Sequence, residues 1–129
     1  MKEIIKYDER SNETYYKNSN GRKTWYEYDE NNNLIHSKDS YGLELWKEYD
    51  ENNNLIHWKN SDGIEYWQEF DKHNNLLHYK DSYGTEYWYK RENNIRIEIT
   101  QKEFEKIKNK KSRELINNSK ISRFELMDI

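Results

Sequence analysis

The sequence predicts a mainly β fold, an antiparallel meander of about ten strands in a long, twisted, single-layer sheet, followed by one C-terminal α-helix. Three observations predict it: a phrase of 21 residues repeated in tandem, alternating side chains within each repeat, and a change of pattern after residue 99. A fixed period of this kind means that one supersecondary unit is stacked on copies of itself, and that each copy contacts mainly its neighbours.

The repeated phrase occurs three times, beginning at Tyr28, Tyr49 and Phe70, and its first copy reads YDENNNLIHSKDSYGLELWKE. Residues 1–21 are a diverged copy, as expected at the end of a repeat array, where one side has no neighbour. Two residue types mark the period along the chain: Gly21, Gly42, Gly63 and Gly84, and Trp25, Trp46, Trp67 and Trp88.

Each repeat contains two extended segments and two turns of different sequence. Residues 43–49 alternate their side chains with the period of two that is typical of a strand, whereas residues 55–59 are apolar or aromatic on both faces. Residues 52–54 are three asparagines, which tolerate a positive φ, and Gly63 can take the left-handed position of a bulged hairpin. Connections this short leave no room for a helical crossover, so neighbouring strands are predicted to be antiparallel. The predicted strands are residues 2–7, 13–17, 22–28, 33–38, 43–49, 54–59, 64–70, 75–80, 85–91 and 95–99.

A different pattern follows residue 99. Thr100 and Glu103 form the T-x-x-E signature of a capped helix start, which predicts a helix over residues 101–117 that ends at the polar residues 117–119. One structural domain is expected, with the sheet in residues 1–99 and, in residues 100–129, a helix and tail that cover an end of the sheet. Apolar residues beyond the helix predict a closing strand or tail: Ile121, Phe124, Leu126, Met127 and Ile129.

The composition limits the classes of protein to which the chain can belong. Apolar residues make up 33% and charged residues 36%, but the 16% of aromatic residues stand at repeating positions, which predicts a thin structure with little buried core. Residues 1–99 carry 14 basic and 20 acidic residues, a net charge of −6, and residues 100–129 carry 8 and 5, a net charge of +3. The concentrated basic face of a nucleic-acid binder is therefore not expected. The sequence has no cysteine, and neither a secretory signal nor a membrane-spanning run is recognised, so a cytoplasmic protein is expected.

Carboxylates and indoles alternate on one face of the predicted sheet. In an open sheet the carboxylates would be solvated and would lack a pocket that tunes their pKa values, so an enzyme is the least expected class. As a binding surface, the acidic groups would steer encounter with a basic partner and the indoles would anchor it. The structural alternative is indole packing across strands with Glu as a solvated fringe. The predicted partner-binding residues are Glu44, Trp46, Glu48, Glu65, Trp67, Glu69, Glu86 and Trp88.

Histidine also recurs with the period, at His36, His57 and His78. Successive hairpins would separate these rings by two strand spacings, about 9–10 Å. Ligands of one zinc ion must converge to about 2 Å from it, so we expect rings packed on the sheet and neither a metal nor another cofactor. The basic run of residues 106–113 is expected to be a solvated helix face, because the helix lacks the bulky apolar face of a membrane-binding segment.

Two short patterns resemble known bacterial repeats over about residues 4–92. Residues 49–56, YDENNNLI, look like the YD repeat of RHS-type proteins, with Asn where glycine is usual. Trp46-x-Glu48-Tyr49, followed by Lys59 and Gly63, is similar to the bacterial variant of the membrane occupation and recognition nexus repeat. Both are β-hairpin repeats, so the resemblance implies the same meander.

The resemblance also implies a function. Short cytosolic proteins built of such repeats resemble immunity proteins, or antitoxins, of bacterial polymorphic toxin and contact-dependent inhibition systems. Such a protein binds its cognate toxin domain, often a nuclease, and occludes the active site, so we expect a non-catalytic monomer or weak homodimer that binds neither nucleic acid nor membrane. The alternatives are a carbohydrate-binding module whose aromatic ladder stacks on sugars and a scaffold that self-associates through a sheet edge.

Overall fold

The computed structural model describes residues 2–127, and within them it confirms the predicted fold class. Ten strands follow one another in chain order in one open antiparallel sheet, and a single helix follows them. The elements are β1 (Ile4–Tyr7), β2 (Glu13–Lys17), β3 (Lys23–Tyr28), β4 (Leu34–Asp39), β5 (Glu44–Tyr49), β6 (Leu55–Asn60), β7 (Glu65–Phe70), β8 (Leu76–Asp81), β9 (Glu86–Glu92), β10 (Ile95–Ile99) and α1 (Gln101–Met127).

The turn that contains glycine is a three-residue loop closed by hydrogen bonds. The backbone N–H of Asp39 donates to the carbonyl of Leu43 (2.9 Å), and that of Gly42 donates back to the carbonyl of Asp39 (3.1 Å). Asp39 Oδ1 accepts from the backbone N–H groups of Tyr41 and Leu43 at 2.9 and 3.0 Å. Gly42 has a φ of 88°, which confirms the predicted left-handed glycine at this turn.

The turn that contains asparagine has the same backbone geometry despite its different sequence. Asp50 Oδ1 accepts from the N–H groups of Asn52 and Asn54, both at 2.9 Å, and Asn53 takes the left-handed position with a φ of 64°. Asn54 also joins this turn to the next repeat, because its Nδ2 donates to Asn74 Oδ1 at 2.8 Å. Ladders of side-chain amides therefore add to the backbone pairing between repeats.

A further hydrogen bond joins the ends of β3, β5 and β7 to the preceding hairpin. The hydroxyl of Tyr49 donates to the backbone carbonyl of Leu34 at 3.0 Å. Phe70 stands at the equivalent place one repeat later and has no hydroxyl, but Gln68 Nε2 donates to the carbonyl of Leu55 at 3.0 Å. A change of sequence between repeats is thus compensated by a second change two residues away.

The chain divides into two compact units, residues 1–86 and 87–129. Most strand residues of the first unit are half-buried, and Asp39 is its buried polar residue; in the second unit Ile99 and Phe104 are buried. No side chain of residues 2–119 is fully buried, in keeping with the thin structure that the composition predicts. The predicted division at residues 99 and 100, and the covering role of the helix, stay predictions.

The start of α1 is as predicted and its end is not. Thr100 Oγ1 accepts from the N–H of Glu103 at 3.2 Å, as a helix cap does. The helix continues to Met127, so the predicted end at residue 117 is wrong, and Ile121, Phe124, Leu126 and Met127, which were expected in a closing strand or tail, belong to the helix. Asn and Ser are only mildly unfavourable inside a helix, and no glycine or proline follows to end it. Ile129, the last residue of the predicted tail, lies outside the described residues.

Candidate functional site

Alternate residues of each strand point to opposite faces of a sheet, and here the two faces differ in chemistry. We call one the histidine face, because His36, His57 and His78 lie on it together with Trp25, Trp46 and Trp67. We call the other the tyrosine face, which carries Tyr26, Ser37, Leu45, Trp58, Tyr66 and Tyr79. Cross-strand pairing assigns these residues to their faces.

Pairing arranges the histidine face in rows of a fixed composition. A row begins with a glutamate and continues, one strand at a time, through histidine, tryptophan and lysine. One row crosses β3 to β7 and consists of Glu27, His36, Trp46, Lys59 and Glu65. The next row lies two strands farther along and begins with Glu48, His57, Trp67 and Lys80. An imidazole and an indole therefore lie side by side between charged groups in both rows.

Three side chains surround the ring of His36. Its Nε2 lies 2.7 Å from Glu44 Oε1, and since a carboxylate only accepts, Nε2 carries the proton and donates. Its Nδ1 lies 3.4 Å from Glu27 Oε1. The imidazole stacks on the indole of Trp46, with ring centroids 5.7 Å apart and planes 24° apart. Stacking and hydrogen bonding together fix the orientation of both rings.

His57 repeats this arrangement one unit later. Its Nε2 lies 2.6 Å from Glu65 Oε1, and its Nδ1 lies 3.5 Å from Glu48 Oε1. The imidazole is nearly parallel to the indole of Trp67, with centroids 5.4 Å apart and planes 8° apart. The same contacts at two successive repeats make the cluster a property of the repeat.

These contacts divide the carboxylates that the sequence predicts as binding residues. Glu44 and Glu65 are half-buried against histidines, and Glu86 is held in the same way, with Oε2 2.7 Å from Nε2 of His78. Glu48 also lies near a histidine, with Oε1 3.5 Å from Nδ1 of His57, but 69% of its side chain is exposed. Glu69 lies opposite His78 on the neighbouring strand.

The predicted tryptophans also fall into two groups. Trp46 and Trp67 expose 38% and 39% of their surface on the histidine face. Trp88 is half-buried and belongs to the second compact unit.

Two features of this face escaped the sequence analysis. Lysines lie opposite the paired carboxylates, Lys38 opposite Glu44 and Lys59 opposite Glu65, so the face carries both signs of charge. The histidine and glutamate pairs are separated by eight residues in each repeat, and a hairpin with a three-residue loop places residues at that spacing diagonally across two strands. The recurring spacing was the signal that could have revealed the pairs.

The tyrosine face carries a stack of rings that spans three strands. The indole of Trp58 lies 5.5 Å from the ring of Tyr66 at an angle of 11°, and Tyr66 lies 6.0 Å from Tyr79 at 29°. Burial raises the pKa of Tyr66, so its hydroxyl stays protonated. This face stabilises the sheet through ring contacts in the third and fourth repeats.

Within the part of the chain that the structure describes, no three histidine, aspartate or glutamate side chains converge as metal ligands would. No helix among the same residues has the length and apolar content needed to cross a bilayer. The chain matches no model of a protein family, and no curated protein matches it. The resemblance to the YD and nexus repeats therefore stays a prediction.

Proposed function

We propose that this protein is a non-catalytic immunity protein that binds a cognate bacterial toxin domain through the histidine face and thereby blocks its active site. The observation that supports this proposal most is a series of partly exposed indoles on one face, Trp25, Trp46 and Trp67, with 44%, 38% and 39% of their surface accessible. Tryptophan is enriched among the residues that dominate binding energy in protein interfaces. A repeated indole thus gives a partner several equivalent anchors.

The charges around the indoles fit a basic partner surface. Glu27 and Glu48 expose 68% and 69% of their side chains, whereas the paired Glu44 and Glu65 are half-buried. The substrate groove of a nuclease is basic, because it binds phosphates, so exposed carboxylates would accelerate its encounter with this face. The row from Glu27 to Glu65 contains two glutamates and one lysine, which leaves an acidic excess when histidine is neutral.

The histidine contacts also prepare the face for binding. Because His36 and His57 stack on Trp46 and Trp67, these indoles are held in position before a partner arrives. A side chain that is already ordered loses less conformational entropy on association. This preorganisation supports a tight protein complex more than a loose surface contact.

The carbohydrate-binding alternative has weaker support. Sugars stack on open ring faces, but His36 covers one face of Trp46, and Lys59 Nζ lies 5.9 Å from the centre of the same ring. The proposal therefore expects tryptophan fluorescence to stay constant when glycans are added. It also expects a cytoplasmic monomer or weak homodimer that acts without a cofactor, nucleic acid or membrane.

Trp67→Ala tests the proposal in a protection assay, in which cells express the toxin domain encoded by the neighbouring gene. We expect the variant to lose at least tenfold in affinity for the toxin, because truncating a central anchor typically costs about 2 kcal/mol or more. Trp58→Ala, which removes an indole from the tyrosine face, is the matched control and should still protect. Equal protection by both variants, with both folded by circular dichroism, would reject the histidine face as the binding surface.

A charge variant tests the second part of the proposal. Glu48→Lys reverses an exposed charge on the histidine face, and we expect it to slow association with the toxin and to weaken the dependence of that rate on salt. Stopped-flow mixing at several salt concentrations measures both. Glu51→Lys, which reverses an exposed charge in a turn, is the control.

A further inference from the structure

The ring stack of the tyrosine face is interrupted in the second repeat. Positions 21 residues apart carry Tyr16, Ser37, Trp58 and Tyr79, so only the second repeat lacks a ring there. At another set of equivalent positions, the second repeat has Leu45 where the following repeats have Tyr66 and Tyr87. Two neighbouring ring positions are therefore filled by smaller side chains.

A hollow of about 400 Å³ opens where these rings are missing. Ser37 and Leu45 lie opposite each other on β4 and β5 and form its floor. Tyr26 on β3 and Trp58 on β6 line it from the two sides, because the strand order places β4 and β5 between them. The hollow is thus bounded by two aromatic side chains across two strands.

The third repeat shows which kind of side chain fits at the position of the hollow. Trp58 stands at the position equivalent to Ser37, and its ring is stacked against Tyr66 at 5.5 Å. Leu45 replaces Tyr66 in the second repeat, which removes the second ring as well. The same backbone therefore carries an aromatic ring at this point when the sequence supplies one.

The charged groups at one end of the hollow are already paired. Asp39 is buried and forms an ion pair with Arg22, whose guanidinium holds the pKa of that carboxyl below its usual range. The guanidinium also lies 5.0 Å from the centre of the Tyr41 ring. Glu44 also lines the hollow, and its carboxylate is held by His36. The remaining lining combines the apolar side chains of Tyr26, Leu43, Leu45 and Trp58 with the small polar side chains of Thr24, Ser37 and Asn60, a chemistry that suits an uncharged ring.

We propose that this hollow binds one aromatic side chain, tryptophan or tyrosine, of a partner protein, seated between Tyr26 and Trp58. The hollow is open on its solvent side, whereas sites for small molecules bury about 70–90% of the ligand surface. A ring carried by a protein gains the missing contact from the sheet around the hollow. This surface lies on the face opposite the histidine face, and the inference does not rest on the proposed function.

Nuclear magnetic resonance of the ¹⁵N-labelled protein tests the proposal with N-acetyl-L-tryptophanamide as the probe and N-acetyl-L-leucinamide as the control. We expect a dissociation constant on the order of 1 mM for the isolated side-chain analogue. The amide signals of Ser37, Leu45 and Trp58 should shift with the tryptophan probe and not with the leucine control. Absence of such shifts, equal shifts with both compounds, or micromolar affinity for the free probe would each overturn the proposal.

Filling the hollow provides the second arm of the experiment. Ser37→Trp reproduces the residue found at Trp58 and should abolish the shifts, whereas Ser37→Ala should retain them. Ser37→Tyr, which reproduces Tyr79, is a second filled variant should the first fail to fold. A filled variant that is folded by circular dichroism and still binds the probe at the same signals would overturn the proposal. Neither arm uses the toxin, so these outcomes are independent of the protection assay.

Discussion

Replacing Tyr49 by Phe removes one hydrogen bond that joins two repeats, the 3.0 Å bond from its hydroxyl to the carbonyl of Leu34. One repeat later, Gln68 satisfies the equivalent carbonyl in place of the missing hydroxyl, also at 3.0 Å. Residue 47 is equivalent to Gln68 and is a lysine. The double variant Lys47→Gln, Tyr49→Phe therefore copies Gln68 and Phe70 into the equivalent positions 21 residues earlier.

The structure gives the expected size of each effect. Tyr49→Phe should lower the free energy of unfolding by about 1 kcal/mol, because an intramolecular hydrogen bond contributes roughly 0.5–1.5 kcal/mol net and the ring itself is retained. Lys47→Gln alone should change it by less than about 0.5 kcal/mol, since the carbonyl already has a partner. The double variant should regain about 1 kcal/mol, which is the coupling energy of the two positions.

Urea unfolding of the wild type, both single variants and the double variant measures this coupling, with tryptophan fluorescence and far-ultraviolet circular dichroism as two probes. Repeat proteins can unfold in parts, so the two probes must give coincident transitions before the free energies of unfolding of the variants are compared. A double variant no more stable than Tyr49→Phe would refute the reasoning that Gln68 replaces the hydroxyl.

Three further predictions concern a turn carboxylate, a turn glycine and the histidine contact. Burial raises the pKa of Asp81, but hydrogen bonds from a tyrosine hydroxyl and two backbone amides outweigh burial, so the pKa is lowered from 3.8. The ionised Asp81 carboxylate therefore stabilises the fold above pH 3.8, the ordinary pKa that it has in the unfolded chain. This stabilisation is lost as the pH falls through the lower pKa of the folded state. Asp81→Asn, which copies the asparagine that occupies the equivalent position 60, should flatten the loss of stability below about pH 4 in urea titrations; an unchanged slope would contradict this. Gly63 has a φ of 85° with open space around it, so Gly63→Ala should cost about 1–2 kcal/mol through backbone strain and Gly63→Asn less, as measured by urea midpoints. His57→Ala should uncover one face of Trp67 and increase acrylamide quenching, and unchanged quenching would argue against the stacked geometry.

The fold was readable from the sequence because the local signals repeat and agree with one another. After the first turn, where Ser11 takes the left-handed position, asparagine or glycine stands there, as at Asn53 and Gly63, and the spacing between turns allows only hairpins. The end of α1 could not be predicted, because Asn117 and Asn118 are tolerated inside a helix and no stronger helix-ending residue, glycine or proline, follows them. A helix end without glycine or proline carries little sequence signal.

The candidate site was predicted in part. Trp46 and Glu48 do share one face, as strand alternation requires, but alternation within one strand says nothing about neighbouring strands. Cross-strand register decides that Glu44 contacts His36 and not solvent, and register depends on turn length and bulges. Comparison of the repeats shows that Ser37 stands where the other repeats have an aromatic residue. That this difference opens a hollow follows only from the structure, which shows that Trp58 stacks on Tyr66 at the equivalent place.

The indole signals of the ¹⁵N-labelled protein, recorded with and without a catalytically inactive form of the proposed toxin partner, test the central claim most directly. Each tryptophan gives one indole N–H signal, so the two faces are read separately in one spectrum. The account predicts that the signals of Trp46 and Trp67 shift or broaden on binding. Binding that moves the signal of Trp58 and leaves those of Trp46 and Trp67 unchanged would contradict it.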